Sequence, residues 1–154
     1  MEEKEFKAWL DTKRRSINLR LDVNGDWWHD DVPFEHPRLI RVFNRGISIH
    51  AETGEPIIRI GTTWCYFQSD QSPYIVRRLL TTANMLSGFW LNTEVEISIG
   101  DSTFSTADEQ LTIHHKKLGD IRFDRPSQAA LAPYLRERKA GIALRTVGGL
   151  LPIK

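Results

Sequence analysis

The most chemically suggestive residues of this 154-residue chain are His29, Asp30 and Asp31, which follow one another directly. An imidazole beside two carboxylates could bind a divalent metal ion, or could remove a proton from a substrate as a general base. Neighbouring residues of a strand point to opposite faces, however, and Asp-Asp before Val-Pro is typical of a tight turn. The turn is the preferred interpretation, and a metal-dependent hydrolase using His29 with Asp30 or Asp31 stays an alternative.

Other residue types that carry catalysis or bind metals stand without a supporting pattern. His114 and His115 are adjacent, so on a strand they would face opposite sides. Cys65 lies in an apolar Thr-Trp-Cys-Tyr-Phe run, which is typical of an inert core thiol. The sequence has no zinc-type Cys/His spacing, no phosphate-binding glycine loop and no Gly-x-Ser-x-Gly elbow. We therefore predict no catalytic residue, no metal and no cofactor, and favour a binding protein over an enzyme.

A helix and a hairpin begin the chain. Phe6, Trp9 and Leu10 recur at helical spacing among charges, which predicts an amphipathic helix over residues 2–15. This helix either packs on the rest of the domain or docks a partner. Asn24-Gly25 separates two strand-like runs, and this pair is typical of a type I′ turn, in which both central residues have a positive φ.

Short helices and extended runs fill the rest of the chain. Pro37 predicts the first position of a helix that ends near Asn44, and a second helix is predicted from near Asp124 to Leu135. Alternating apolar runs between turn residues predict strands at 47–51, 56–61, 62–69, 74–82, twice within 85–99, at 109–115 and 120–123, and in a hairpin over 141–153. This mixture indicates an α+β fold.

Composition excludes several classes of protein. The chain has 21 basic and 20 acidic residues, so a net charge of +1 predicts no general attraction to nucleic acid or to anionic lipid. No run approaches the roughly 18 to 20 apolar residues of a membrane span, and the N-terminus is too charged for a signal peptide. A single cysteine cannot form an internal disulfide. A cytoplasmic protein is expected.

The ordered set of turn and core residues resembles the bacterial family called domain of unknown function 1285 (DUF1285). The resemblance covers nearly the whole chain from about residue 17, through Asp22, Gly25, Trp27, His29, Pro33, Val42-Phe43, Ser72-Pro73-Tyr74, Leu91-Asn92-Thr93, Gly100, Leu131, Tyr134-Leu135, Gly141, Leu144, Gly148, Leu150 and Pro152. It implies an α+β fold with two related motifs, each a short helix packed on a curved, mostly antiparallel sheet. It also implies a suggested role in ligand binding or signal transduction, and no established reaction.

A mixed aromatic and charged surface is the best candidate for a functional site if the family topology makes its strands neighbours. Its residues are Trp27, Arg59, Trp64, Tyr66, Asp70, Tyr74 and Arg77. Ligand-binding grooves combine apolar walls with a few directed polar groups, and arginines are rarely buried without a carboxylate partner. We predict that one face lined by these residues forms a groove. The alternative is that the aromatic residues are simply core.

The expected organisation is one α+β unit with an N-terminal helix over residues 1–16, a first helix-plus-sheet half over 17–83 and a second over 84–154. The expected function is binding of a small ligand or a peptide, with the signalling role that the resemblance implies. The partner would be a small molecule or a protein segment, and neither nucleic acid nor membrane. A further alternative is a structural protein that forms homo-oligomers through its N-terminal helix or a sheet edge.

Overall fold

The computed structural model describes residues 2–154 and shows an α+β fold with an N-terminal helix, as predicted. The chain divides into two compact units, one ending at Pro73 and the other formed by Tyr74–Lys154, whereas the sequence suggested a division at residue 83. No helix within residues 2–154 is long and apolar enough to cross a membrane.

The first unit contains two helices and seven short strands. They are α1 (Glu3–Arg15), β1 (Leu19–Leu21), β2 (Trp27–His29), β3 (Val32–Pro33), α2 (Pro37–Arg45), β4 (Ile47–Ile49), β5 (Pro56–Ile60), β6 (Thr63–Tyr66) and β7 (Gln68–Ser69). One sheet has the order β3-β2-β1-β7, with β7 parallel to β1, and a second, antiparallel sheet has the order β4-β5-β6. The predicted run 62–69 is therefore shared between two sheets.

A group of aromatic rings joins α2 to the first sheet in the first unit. The Trp27 ring is 1 % exposed and makes edge contacts with Phe43 of α2 and with Phe67, at centroid distances of 5.7 and 4.9 Å. Its indole Nε1 donates to Asn44 Oδ1 at 2.7 Å. The ring of Phe34, which precedes α2, has its centroid 5.0 Å from that of Phe43. Packing of these rings fixes α2 against the first sheet, because aromatic side chains supply the largest apolar area per residue.

The predicted hairpin is present, but its turn type was predicted wrongly. Of residues 22–26, only Gly25 has a positive φ, of 84°, and the turn closes from Asp22 O to the Gly25 N–H at 3.0 Å. The Asp22 carboxylate accepts hydrogen bonds from the Asn24 and Asp26 N–H groups, each at 2.9 Å. This side-chain-capped geometry replaces the type I′ turn, because an Asp at the first turn position can bond its own backbone.

The second unit is built on nine strands. They are β8 (Ile75–Thr82), β9 (Met85–Leu91), β10 (Glu96–Ser98), β11 (Ser102–Ala107), β12 (Gln110–His115), β13 (Gly119–Phe123), β14 (Leu135–Arg138), β15 (Gly141–Thr146) and β16 (Gly149–Pro152), with helix α3 (Arg125–Ala129) after β13. The sheet order is β11-β12-β13-β8-β9-β15-β14, and β10 and β16 pair with β9 and β15. The pairs β13–β8 and β15–β9 are parallel.

Two predictions for this unit were wrong. Strands β11 and β14 were not expected, and the helix predicted to reach Leu135 ends at Ala129. A 3₁₀ turn at Ala132–Tyr134 follows it. Pro133 lies in this turn, and a proline inside a helix removes a hydrogen bond and clashes with the preceding turn. The start of α3 is as expected, since Asp124 Oδ1 accepts from the Ser127 N–H at 2.8 Å as an N-cap.

Candidate functional site

A cluster of three rings lies on one side of the β4-β5-β6 sheet. Trp64 and Tyr66 alternate along β6 and therefore point to the same face, where their rings meet edge to face at 5.3 Å. The His50 ring, just beyond β4, lies 5.0 Å from Trp64 and 5.8 Å from Tyr66. We call His50, Trp64 and Tyr66 the aromatic face. It offers π surfaces that attract cations.

The last turn of α1 lies on this aromatic face. The guanidinium carbon of Arg14 is 3.8 Å from the centre of the Trp64 ring, and that of Arg15 is 4.0 Å from the centre of the Tyr66 ring. At these distances a guanidinium gains from the ring quadrupole and by stacking. Two consecutive arginines thus each cover one of the two large rings of the aromatic face.

Arg15 is also held by carboxylates at its edge. Its Nη1 and Nη2 donate to the two carboxylate oxygens of Glu55 at 2.9 and 2.8 Å, and its Nε donates to Asp11 at 2.9 Å. This paired geometry is the one that guanidinium and carboxylate planes prefer. Hydrogen bonding to Arg15 lowers the pKa of Glu55, and the same bond raises the pKa of Arg15. The charges are therefore matched as well as the shapes.

The remainder of α1 contributes little to docking. No residue of Glu3–Arg15 is buried, and Leu10, Asp11 and Arg14 are only partly covered. Phe6 and Trp9 are each 48 % exposed and contact one another at 5.9 Å. The helix is thus attached to the first unit mainly through its C-terminal end.

The predicted site residues are distributed over both units. Trp64 and Tyr66 lie together on the aromatic face, and Arg59 on β5 is directly opposite Trp64 in the β5–β6 register and is exposed. Trp27 is core, as described above. Asp70 accepts from Arg20 Nη1 at 3.1 Å in the first unit.

The other two predicted residues belong to the second unit. Tyr74 is 5 % exposed, and burial raises the pKa of its phenol. Arg77 Nη1 donates to Asp124 Oδ2 at 3.3 Å. The structure therefore brings together Trp64, Tyr66 and Arg59 of the predicted set.

Sequence reasoning missed the residues that complete the site, namely Arg14, Arg15, His50 and Glu55. Part of the signal was available. A hairpin with strands at 47–51 and 56–61 has a tip that carries both His50 and Glu55, and β6 follows immediately. The stacking of α1 arginines on β6 has no local signal, because it joins residues about 50 positions apart.

The alternative site at His29 has the geometry of a turn. His29 Nε2 lies 3.4 Å from Asp30 Oδ2, and Asp30 Oδ1 accepts from Asn18 Nδ2 at 2.9 Å. Asp30 and Asp31 have φ of 48° and 63°, in the left-handed region, so the turn interpretation is confirmed. Residues 2–154 contain no group of three or more His, Cys, Asp or Glu side chains arranged to hold a metal ion.

The fold places this chain in a known structural class. No protein-family model matches the sequence, and no curated protein does. Two crystal structures are similar. A DUF1285 family protein from Silicibacter pomeroyi DSS-3 has a TM-score of 0.68 at 15 % identity, covering 88 % of this chain and 79 % of that one. A DUF1285 family protein from Shewanella baltica OS155 has a TM-score of 0.54 at 10 % identity, covering 76 % and 91 %. The fold is that of DUF1285 proteins, and the resemblance seen in the sequence is confirmed at this level.

Proposed function

We propose that this chain is a member of the DUF1285 family and that its first unit binds peptide segments carrying adjacent arginines. The aromatic face is the binding surface, and α1 is an internal segment that occupies it. The observation that carries the proposal is the pair of stacked arginines, with Arg14 at 3.8 Å from Trp64 and Arg15 at 4.0 Å from Tyr66. A surface that binds two guanidinium groups of its own chain has the chemistry to bind two guanidinium groups of another peptide.

The charge pattern supports arginine over lysine as the recognised residue. Glu55 presents both carboxylate oxygens to the fork of Arg15, and an ammonium group cannot form this paired contact. Planar stacking on Trp64 and Tyr66 also favours the flat guanidinium. Arg59 beside Trp64 would repel a third positive charge on that side, so the surface should select a short arginine pair rather than a long basic run.

The weak attachment of α1 supports exchange. No residue of α1 is buried, and exposed ion pairs contribute little to stability because water screens them. A competing segment therefore has few contacts to displace. Release of α1 on binding would free the helix that carries the exposed Phe6 and Trp9. Such a release is a simple way for this module to pass on a signal. The signal would be passed on in the bacterial cytoplasm, where a free thiol such as Cys65 is stable.

A binding titration tests the proposal. A fluorescent peptide with the sequence of residues 3–16 is added to the full-length Arg14→Ala/Arg15→Ala protein, whose face is vacated, and to the wild-type protein. We expect the double variant to bind the peptide at least tenfold more tightly than the wild type does, because α1 competes in the wild type. A peptide with both arginines replaced by lysine is expected to bind neither protein measurably.

Two controls separate the face from general charge. Lys13→Ala in the peptide keeps both arginines and should preserve binding. Within residues 2–154, the aromatic ring that the Lys13 ammonium contacts is Trp9 of the same helix, not a ring of the aromatic face. Glu55→Gln in the double variant should weaken binding. If the folded double variant binds the arginine and lysine peptides equally, or binds neither, the proposal is wrong. If light scattering at these concentrations shows dimers, the arginine-bearing segment on the aromatic face would instead be α1 of a second copy of the chain.

A further inference from the structure

Three side chains on adjacent strands of the second unit form a continuous hydrogen-bonded chain. Ser105 Oγ lies 2.6 Å from His114 Nε2, and His114 Nδ1 lies 2.7 Å from Asp120 Oδ1. An ionised carboxylate only accepts hydrogen bonds, so in the neutral imidazole Nδ1 carries the proton and Nε2 accepts from the Ser105 hydroxyl. This is the connectivity of a serine nucleophile, a histidine base and an aspartate that orients the base.

The sheet positions these side chains on rigid elements. In the register His114 of β12 lies directly opposite Asp120 of β13, and Ser105 of β11 is paired with Thr112, one step along the same face of β12. Each of the three strands is anchored by a neighbouring buried residue, namely Phe104, Ile113 and Ile121, which are at most 1 % exposed. Sites built on strands hold their geometry better than sites on loops.

The chain is accessible from solvent. His114 and Asp120 side chains are 43 % and 66 % exposed, and Ser105 is partly exposed. A substrate can therefore approach Ser105 Oγ without any opening of the fold. The open surface also implies little selectivity for the rest of the substrate, since selectivity needs walls that exclude water and competitors.

The backbone of Lys154 lies along the edge of the sheet, beside the strand that carries Ser105. Lys154 N–H donates to Phe104 O at 3.0 Å, and its carbonyl accepts from the Thr106 N–H at 2.9 Å. Lys154 is thus paired with Ser105, and residues paired across a sheet have their side chains on the same face. A lysine side chain on this face would bring a positive charge that offsets the negative charge on the carbonyl oxygen when Ser105 Oγ bonds to the carbonyl carbon.

We propose that Ser105, His114 and Asp120 form a nucleophilic site for acyl transfer from activated esters. His114 Nε2 takes the Ser105 hydroxyl proton as Oγ bonds to the carbonyl carbon. The bond to the leaving oxygen then breaks, and the leaving group receives that proton as an alcohol. Water repeats the sequence on the acyl-serine, which releases the carboxylic acid and restores Ser105. The whole reaction is hydrolysis of an ester to an acid and an alcohol.

Covalent labelling of the full-length protein tests this site. The probes are a fluorophosphonate, which reacts with activated serines, and 4-nitrophenyl acetate, which reports acyl transfer by its coloured product. We expect one adduct, located on Ser105 by peptide mass spectrometry. Ser105→Ala should abolish it, and His114→Gln should slow it at least tenfold, because a positioned base contributes about 10²–10⁴ to such steps. Asp120→Asn should slow it to a smaller extent.

A matched variant separates the site from general surface reactivity. Thr103 lies opposite His114 on the same face, so Thr103→Ala alters a neighbouring hydroxyl and should leave labelling unchanged. Melting temperatures confirm that each variant is folded. An adduct that forms equally in the Ser105→Ala protein, labelling on another residue, or a wild-type rate equal to that of His114→Gln would show that the three residues are a surface hydrogen-bond network only and would overturn the proposal.

Discussion

The guanidinium of Arg14 stacks on the Trp64 ring at 3.8 Å, which ties the end of α1 to β6. A cation–π contact at an exposed position contributes about 0.5–1 kcal/mol. We therefore expect Arg14→Ala to increase transient opening of α1 roughly two- to fivefold, since about 1.4 kcal/mol corresponds to a factor of ten. Hydrogen exchange of the α1 amides measures this opening. Lys13→Ala removes an equal charge from the same turn and should have no comparable effect; equal increases in both variants would contradict a specific stack.

Docking of α1 should weaken in acid. Hydrogen bonding to Arg15 lowers the pKa of Glu55 from its ordinary value of about 4.5. A lowered folded-state pKa gives a contribution that is complete above the ordinary value and is lost as pH falls through the folded-state pKa. We expect the NMR signals of α1 to move further in the wild type than in Glu55→Gln as the pH falls below about 4.5, because only the wild type loses this ion pair. An acid-insensitive α1 in the wild type would contradict the ion pair.

Trp27 should behave as a core residue rather than a binding residue. Trp27→Phe removes the indole N–H and leaves Asn44 Oδ1 without this donor in a partly buried position, which costs about 1–3 kcal/mol. Urea unfolding measures the loss, and peptide binding should be unchanged. Trp9→Phe, at a position 48 % exposed, serves as the control and should change stability by less than about 0.5 kcal/mol. Loss of peptide affinity without loss of stability would return Trp27 to the site.

Gly88 should be intolerant of any side chain. A Cβ atom at this position of β9 would overlap the carbonyl oxygen of Ile97 on β10, so the two strands would have to separate. We expect Gly88→Ala to destabilise the protein by about 1–3 kcal/mol in urea unfolding. Gly100→Ala is the matched control, because its Cβ would meet nothing within 4 Å. Equal midpoints for the two variants would show that β10 adjusts freely.

The strands that could be predicted are those with apolar alternation. The run 109–115 alternates through Leu111 and Ile113, and the strand is present as β12. β11 was missed because its sequence, Ser-Thr-Phe-Ser-Thr-Ala, has one large apolar residue, Phe104. That omission hid Ser105. Since β12 and β13 were both expected, the pairing of His114 with Asp120 was within reach of the sequence, whereas the third member of the chain was not.

The docking of α1 could not be predicted from periodicity. Phe6, Trp9 and Leu10 mark an apolar stripe, and such a stripe normally faces the domain. In the structure the partly covered residues of the helix are Leu10, Asp11 and Arg14, while Phe6 and Trp9 stay exposed. A hydrophobic pattern depends on the spacing of apolar residues, so it carries no information about arginines that stack on rings far away in the sequence. Trp64 and Tyr66 were identified as candidates because they alternate on one strand.

Hydrogen exchange of the wild-type protein shows whether an arginine-bearing peptide displaces α1 from the aromatic face. Amides of α1 and of β6 are followed with and without a saturating amount of the peptide of residues 3–16. We predict that exchange of the protein's own α1 accelerates on peptide addition, while β6 stays protected, because the peptide replaces the helix on the aromatic face. Peptide binding with unchanged exchange throughout α1 would show that the peptide binds elsewhere and does not displace the helix.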